Sequence, residues 1–235
     1  MGIGMKRLII IPAYNEAESI EKTVKGIIEK APDFDYVVIN DCSTDDTRRI
    51  CEENGFNVVN LCINLGIGGA VQTGYIYALA HGYDVAVQMD GDGQHDVDFI
   101  YRMAEYLEEN HLDMVIGSRF IEYQGFQSSF LRRMGIRYFT WLIRLCSGKT
   151  ITDPTSGYRM AGKGAIESFA RDYPRDYPEP ETTLRVLRRG CRVAEIPVVM
   201  HERQGGVSSI SPLKSVYYMV KVTGGILVEM MRKPR

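Results

Sequence analysis

No run of about 18 uninterrupted apolar residues occurs in the chain, so no membrane-spanning helix is expected. The first apolar run, Leu8 to Ile11, meets Pro12 at once and is too short for the core of a secretory signal, which leaves a cytoplasmic location as the expectation. Cysteine is sparse: Cys42, Cys51, Cys62, Cys146 and Cys191 are odd in number and none stands in C-x-x-C spacing. That excludes a zinc knuckle and a disulfide framework and suits a reducing compartment. A dominant charge is missing too, since 28 basic and 30 acidic residues leave a formal charge of −2, and general nucleic-acid binding is excluded. Internal repeats and low-complexity tracts are absent. With 45% hydrophobic residues in 235, one α/β domain with a sizeable core is expected rather than two independent ones.

What is present is an alternation. Apolar runs at 7–11, 36–40, 57–61, 84–89 and 113–118 read as buried strands, separated by helical patterns at 16–30, 45–54, 68–81 and 97–110. This predicts a mostly parallel central sheet with helices on both faces. Ser43, Thr44 and Asp45 offer capping oxygens for the second helix. Beyond residue 120 the rhythm changes. Tyr123 to Thr152 contains no acid, while Arg132, Arg133, Arg137, Arg144 and Lys149 sit among aromatic and aliphatic residues, as in a cationic amphipathic helix over 128–146. A helix at 180–189, a strand at 193–200 and a final helix from 212 complete the expected order.

In open α/β sheets ligands bind at the carboxyl ends of the strands. The polar clusters PAYNE, NDCST, NLGIGG and DGDGQHD all follow strands, so four strand ends are expected to share one crevice. Asp90 and Asp92 are two apart and point to one side of an extended chain. With Gly91 and Gly93 letting the backbone turn, they can meet one hard cation, to which Gln94 or His95 can add a ligand. An EF-hand reading fails because Tyr101 occupies the position that needs glutamate. The glycines of NLGIGG follow the third strand and lack the last spaced glycine, so they make a weak dinucleotide fingerprint.

The segments IPAYNEAESI, VINDCSTDDT, NLGIGGAVQTGY, QMDGDGQHD, GSRF and DPTSGYR, in this order, resemble the family 2 glycosyltransferases of the GT-A fold. The branch is the one similar to dolichyl-phosphate mannosyltransferases and bacterial polyprenyl-phosphate glycosyltransferases, and the likeness runs over residues 6 to 210. It implies a GT-A domain over 1–210, with a nucleotide- and metal-binding half at 1–120, an acceptor half at 121–210 and an amphipathic helix at 211–235. The implied reaction moves a sugar, with inversion, from a nucleoside-diphosphate sugar donor to a polyprenyl-phosphate or cell-envelope glycan acceptor. By the same resemblance Pro12, Tyr14, Asn15 and Glu16 line the base and ribose, and Asp41 and Ser43 read the base edge. Asn64, Gly66 and Gly91 join the donor contacts, while Asp90, Asp92 and Gln94 hold Mg2+ or Mn2+. Ile67 stands where the family often has a basic residue.

A hydroxyl acceptor needs a general base. The resemblance puts a carboxylate at the start of the helix in DYPEPETTL, leaving Glu179 and Glu181 as alternatives; both also suit the positive end of a helix dipole. A polyprenyl-phosphate acceptor needs cations instead, for which Arg119, Arg159 and, in MHERQGG, Arg203 ahead of His201 are candidates. Arg119 also reads as a structural residue at a strand end. In the tail, Lys214, Lys221, Arg232, Lys233 and Arg235 face a single acid, Glu229, among Tyr217, Tyr218, Met219, Ile226, Leu227 and Met230. This suits a helix lying peripherally on anionic lipid at the inner face of the cell membrane, or one that packs into the core or a homodimer. Gly224 and Gly225 argue against a strongly independent helix. Two other functions compete. A nucleotidyltransferase making nucleotide sugars would need a Gly-rich, basic loop after the first strand, where Pro12 and Tyr14 stand; a non-catalytic nucleotide-sugar-binding module would not need the later carboxylates and arginines.

Overall fold

A computed structural model describes residues 5–122, 130–200 and 212–232. Seven strands form one sheet in the order β3-β2-β1-β4-β6-β5-β7. They are β1 (Arg7–Ala13), β2 (Asp35–Asn40), β3 (Val58–Asn60), β4 (Val85–Gln88), β5 (Met114–Ser118), β6 (Arg159–Gly162) and β7 (Val193–Pro197). All pairings are parallel except those of β6, which runs antiparallel to β4 and β5.

The central strands are apolar on both sides because both sides are covered. Ile9, Ile11, Val38 and Val87 face α1 (Ile20–Lys30) and α4 (Phe99–Glu109) through Val24, Ile27, Met103 and Leu107. Leu8, Ile10, Val37 and Ile39 face α3 (Gly66–Ala80) and α6 (Lys163–Arg171) through Val71, Tyr75, Ile166 and Phe169. A third cluster, including Phe139, Ile143, Leu184, Val222 and Ile226, joins α5 (Phe130–Ser147), α7 (Pro178–Arg188) and α8 (Pro212–Met231). The short α2 (Thr47–Glu53) lies beside α1.

The five expected parallel strands and their helices are present, but β6 and α6 are additions. Strand β6 is only RMAG, four residues beginning with a charge, and no alternation is long enough to announce it. The first helix starts at Ile20 rather than 16, because residues 15–17 give their backbone N–H groups to side chains after β2. Gly224 and Gly225 do not interrupt α8; a Cβ on Gly225 would lie 2.7 Å from Oε2 of Glu181, so close helix packing uses the missing side chain.

Candidate active site

The ends of β1 and β2 are laced together. Asn15, at φ 55°, donates its N–H to Ser43 Oγ at 3.0 Å, and its Oδ1 accepts the Thr44 N–H at 2.8 Å. The Glu16 N–H reaches Thr47 Oγ1 at 2.9 Å. Tyr14 is left exposed beside this rim. Asp41 is only 3% exposed, and its two oxygens accept the N–H groups of Leu65 at 2.7 Å and Gly66 at 2.9 Å. Asn64 adds a bond from Nδ2 to the Asp41 carbonyl at 3.3 Å. The Gly68 N–H goes to the Arg175 carbonyl at 3.0 Å, and a Cβ there would fall 2.0 Å from the Pro174 carbonyl oxygen. The amides that open α3 therefore have acceptors inside the protein, which agrees with the weakness of the dinucleotide fingerprint. Gly68→Ala is expected to lower the melting temperature despite alanine's helix propensity, because the obstacle is backbone; an unchanged melting curve would contradict this packing.

At the end of β4 the chain brings its acids together. The Asp90 N–H donates to Nδ1 of His95 at 3.0 Å, which places the imidazole proton on Nε2, 3.8 Å from Asp90 Oδ2. The His95 ring stacks on Tyr158 with centroids 4.6 Å apart, and the Tyr158 hydroxyl donates to the Asp96 carbonyl at 2.7 Å. Asp92 is buried and its Oδ1 accepts the Gln94 N–H at 3.0 Å. Gln88 points Nε2 at Asp90 Oδ1, 3.3 Å away. Gly157 of DPTSGYR closes over this carboxylate: a Cβ would come within 3.1 Å of Gln88 Nε2 and 3.6 Å of Asp90 Oδ2. Gly91 lies against the Pro12 carbonyl, which a Cβ would approach to 3.3 Å.

Among the described residues no group of three or more His, Cys, Asp or Glu gathers as an all-protein metal cage. Two carboxylates with the amide oxygen of Gln94 nearby in sequence form a sparse, hard-oxygen set. That set fits Mg2+ or Mn2+, which keep water and share phosphate oxygens, and does not fit a closed zinc site.

The two acids of α7 go different ways. Glu181 bonds Arg185 Nη2 at 3.1 Å, and buried Arg185 also reaches Asp172 at 3.0 Å and Glu229 of α8 at 3.3 Å. Glu181 thus belongs to the clamp between α7 and α8. Glu179 is outside that clamp: burial raises its carboxyl above the usual range, the Arg159 charge pulls it back, and the Asp90 charge raises it further.

Arg119 is 7% exposed and forms a fork with Asp153, Nε to Oδ2 at 2.6 Å and Nη2 to Oδ1 at 2.8 Å. Thr155 Oγ1 accepts a further bond at 3.1 Å. Glu195 holds the same turn by accepting the N–H groups of Thr152 at 2.6 Å and Asp153 at 2.8 Å. Arg159 is buried and its bonds also end on internal acceptors. Of the two readings of Arg119, the geometry is that of the structural strand-end residue, and neither arginine presents an open fork at the crevice. His201 and Arg203 lie outside the described residues. His95, offered by sequence beside Gln94 as a cation ligand, instead accepts the Asp90 N–H and stacks on Tyr158; Gln88, Asp153 and Glu195 were not singled out by sequence, and their only signal was membership of, or alternation with, the quoted motifs.

An open, mostly parallel sheet with its acidic strand ends on one rim is the architecture of the GT-A class. The sequence profile of Glycosyl transferase family 2 matches residues 8–169, and the chain belongs to that family. It is 32% identical over 216 residues to an undecaprenyl-phosphate mannosyltransferase of Micrococcus luteus, covering 88% of each chain. A polyprenol monophosphomannose synthase of Mycolicibacterium smegmatis is 29% identical, over 88% of this chain and 81% of that one. Among solved structures, glucosyl-3-phosphoglycerate synthase of Mycobacterium tuberculosis superposes with a TM-score of 0.75 at 19% identity, over 98% of this chain and 81% of that chain. At that identity the likeness shows the fold alone. The chain is accordingly a glycosyltransferase, and the nucleotidyltransferase reading is displaced.

Proposed function

We propose that the protein transfers a sugar from a nucleoside-diphosphate donor to a polyprenyl phosphate, with inversion and with Mg2+ or Mn2+. The observation that carries this reading is the Asp90–Asp92 turn at the end of β4, closed over by Gly157. Relatives named for undecaprenyl-phosphate and polyprenol acceptors support the acceptor class. The related fold crystallised with Mn2+ and uridine diphosphate supports the donor and metal classes.

In this reading Tyr14 offers a ring face to the base, while Pro12, Asn15, Glu16 and Ser43 fix the rim around it. Asp41 with Ser43 reads the base edge, while Asn64, Gly66 and Gly91 lie beneath the diphosphate. Asp90, Asp92 and Gln94 hold the cation, which when bound neutralises charge on the departing diphosphate. Residues 1–120 form the donor half and 121–210 the acceptor half. The acceptor oxygen attacks the sugar from the side opposite the diphosphate, which inverts the centre. Arg132 of α5, within electrostatic reach of Glu179, and Arg203 supply positive charge for the acceptor phosphate.

A phosphate oxygen is already anionic and needs no general base. Glu179→Gln is therefore expected to keep transfer to a polyprenyl phosphate within about threefold, whereas loss of a true base costs roughly 100- to 10,000-fold. The test is steady-state transfer by both proteins. A loss in the second range would make Glu179 a base and point to a hydroxyl-bearing glycan acceptor.

The lipid acceptor also explains an exposed surface. Met134, Trp141 and Leu145 on α5, and Tyr217, Val220, Leu227 and Met231 on α8, are exposed apolar residues, with Arg137, Arg144, Lys221 and Arg232 exposed among them. The two helices meet through the Tyr138 and Thr223 hydroxyls at 3.2 Å. Among the described residues no helix is long and apolar enough to cross a membrane. We take this face to lie on anionic lipid rather than in a homodimer. Co-sedimentation with phosphatidylglycerol vesicles is expected, weakened about tenfold by Leu227→Asp. A dimer in analytical ultracentrifugation with no vesicle binding would overturn it.

A further inference from the structure

Arg159 opens β6 in register with Gln88 of β4, the residue that points at Asp90. Its side chain is 1% exposed, and the guanidinium spans two separate segments. Nε donates to the Ser156 carbonyl at 2.6 Å and Nη2 to the Pro154 carbonyl at 2.8 Å, both in the turn that ends at Gly157. Nη1 donates to the Glu179 carbonyl at 2.8 Å and to Thr182 Oγ1 at 2.9 Å, both in the first turn of α7. Thr182 in turn donates to the Pro178 carbonyl at 2.7 Å.

Among the described residues no carboxylate lies within ion-pair distance of this cation, although its charge acts on the buried Glu179 carboxyl. A buried guanidinium held only by carbonyls and a hydroxyl carries a desolvation cost that a methionine of similar length would avoid. What a methionine cannot do is satisfy three carbonyls in one plane across two chain segments, the particular capacity of the arginine fork. One of those segments lays Gly157 on the Asp90 carboxylate; the other carries Glu179.

We infer that Arg159 is a positioning residue that fixes the Pro154–Gly157 turn and the first turn of α7 as one piece, setting the Asp90 side of the site against the Glu179 side. The consequence for catalysis rests on the transfer reaction proposed above; the coupling of the two segments does not. Arg159 is buried and its bonds end on the protein, so its loss shifts the two segments against each other rather than taking away a substrate contact. A misplacement of this kind costs roughly 10- to 100-fold in turnover.

The test uses Arg159→Lys, which keeps the charge and loses the fork, beside Thr182→Val, a near-isosteric change that removes one acceptor and guards against a lysine variant that does not fold. Hydrogen–deuterium exchange is expected to rise together at 154–157 and at 178–182 in both variants, with other segments unchanged. Transfer kcat is expected to fall in both, about tenfold or more in the lysine variant, with the KM for donor held within about twofold. Exchange that rises in only one of the two segments overturns the inference, as does a fall in donor affinity matching the fall in kcat. If the unaltered enzyme shows no transfer, the proposed reaction fails, and the paired change in exchange still decides the coupling.

Discussion

Asp92→Asn is expected to abolish Mn2+-dependent nucleotide binding and to lower transfer roughly 100- to 1,000-fold, with the fold intact. The substitution is chosen for what it keeps. Asp92 Oδ1 accepts the Gln94 N–H at 3.0 Å, and an asparagine carbonyl can accept the same bond, so the turn survives while a unit of negative charge is lost. Only Asp90 then remains to offset the cation, and a divalent ion held by one carboxylate and water gains little from this protein. The readout is a melting shift with nucleoside diphosphates, with and without Mn2+. A ligand at 100 times its Kd adds about 2.7 kcal/mol to the native state, a shift large enough to see disappear. Equal Mn2+-dependent shifts in mutant and parent would remove Asp92 from the cation site.

Arg119→Met is expected to cost about 3–5 kcal/mol of stability, because it strips the partner from a buried carboxylate. Asp153 is fully buried, and its two oxygens receive the Arg119 fork at 2.6 and 2.8 Å. Asp153→Asn in the Arg119→Met background should recover part of the loss by removing the stranded charge, and a double-mutant cycle in urea measures the coupling. A loss below about 1 kcal/mol, within the range of exposed pairs, would mean that the fork is free to leave Asp153 for a ligand.

These two residues mark how far sequence reaches. The DGDGQHD acids follow a continuous apolar strand, so their place at a sheet rim was legible from the run Val85 to Met89 alone. Arg119 was legible as a cation near the site but not as a spent one, because its partner stands 34 residues away and only the fold brings them together. The same limit applies to Glu179 and Glu181. Two residues along a helix rotate the side chain by roughly 200°, so one acid had to face away from the other. Which one entered the clamp depended on where α8 packs, and Gly225 against Glu181 fixes that. Strand β6 was illegible for a different reason: four residues beginning with a buried arginine carry no period, and what marks them as a strand is their antiparallel pairing with β4 and β5, which only the fold brings about.

The most direct measurement is incorporation of sugar into extractable lipid from a panel of UDP-, GDP-, dTDP- and CDP-sugars, with a short-chain polyprenyl phosphate as acceptor. Mn2+, EDTA and Asp92→Asn provide the comparisons. The expected result is product from one donor, dependent on Mn2+ and lost in the mutant. Product that forms equally in EDTA, or transfer to a glycan hydroxyl with none to the phosphate, would contradict the function proposed here.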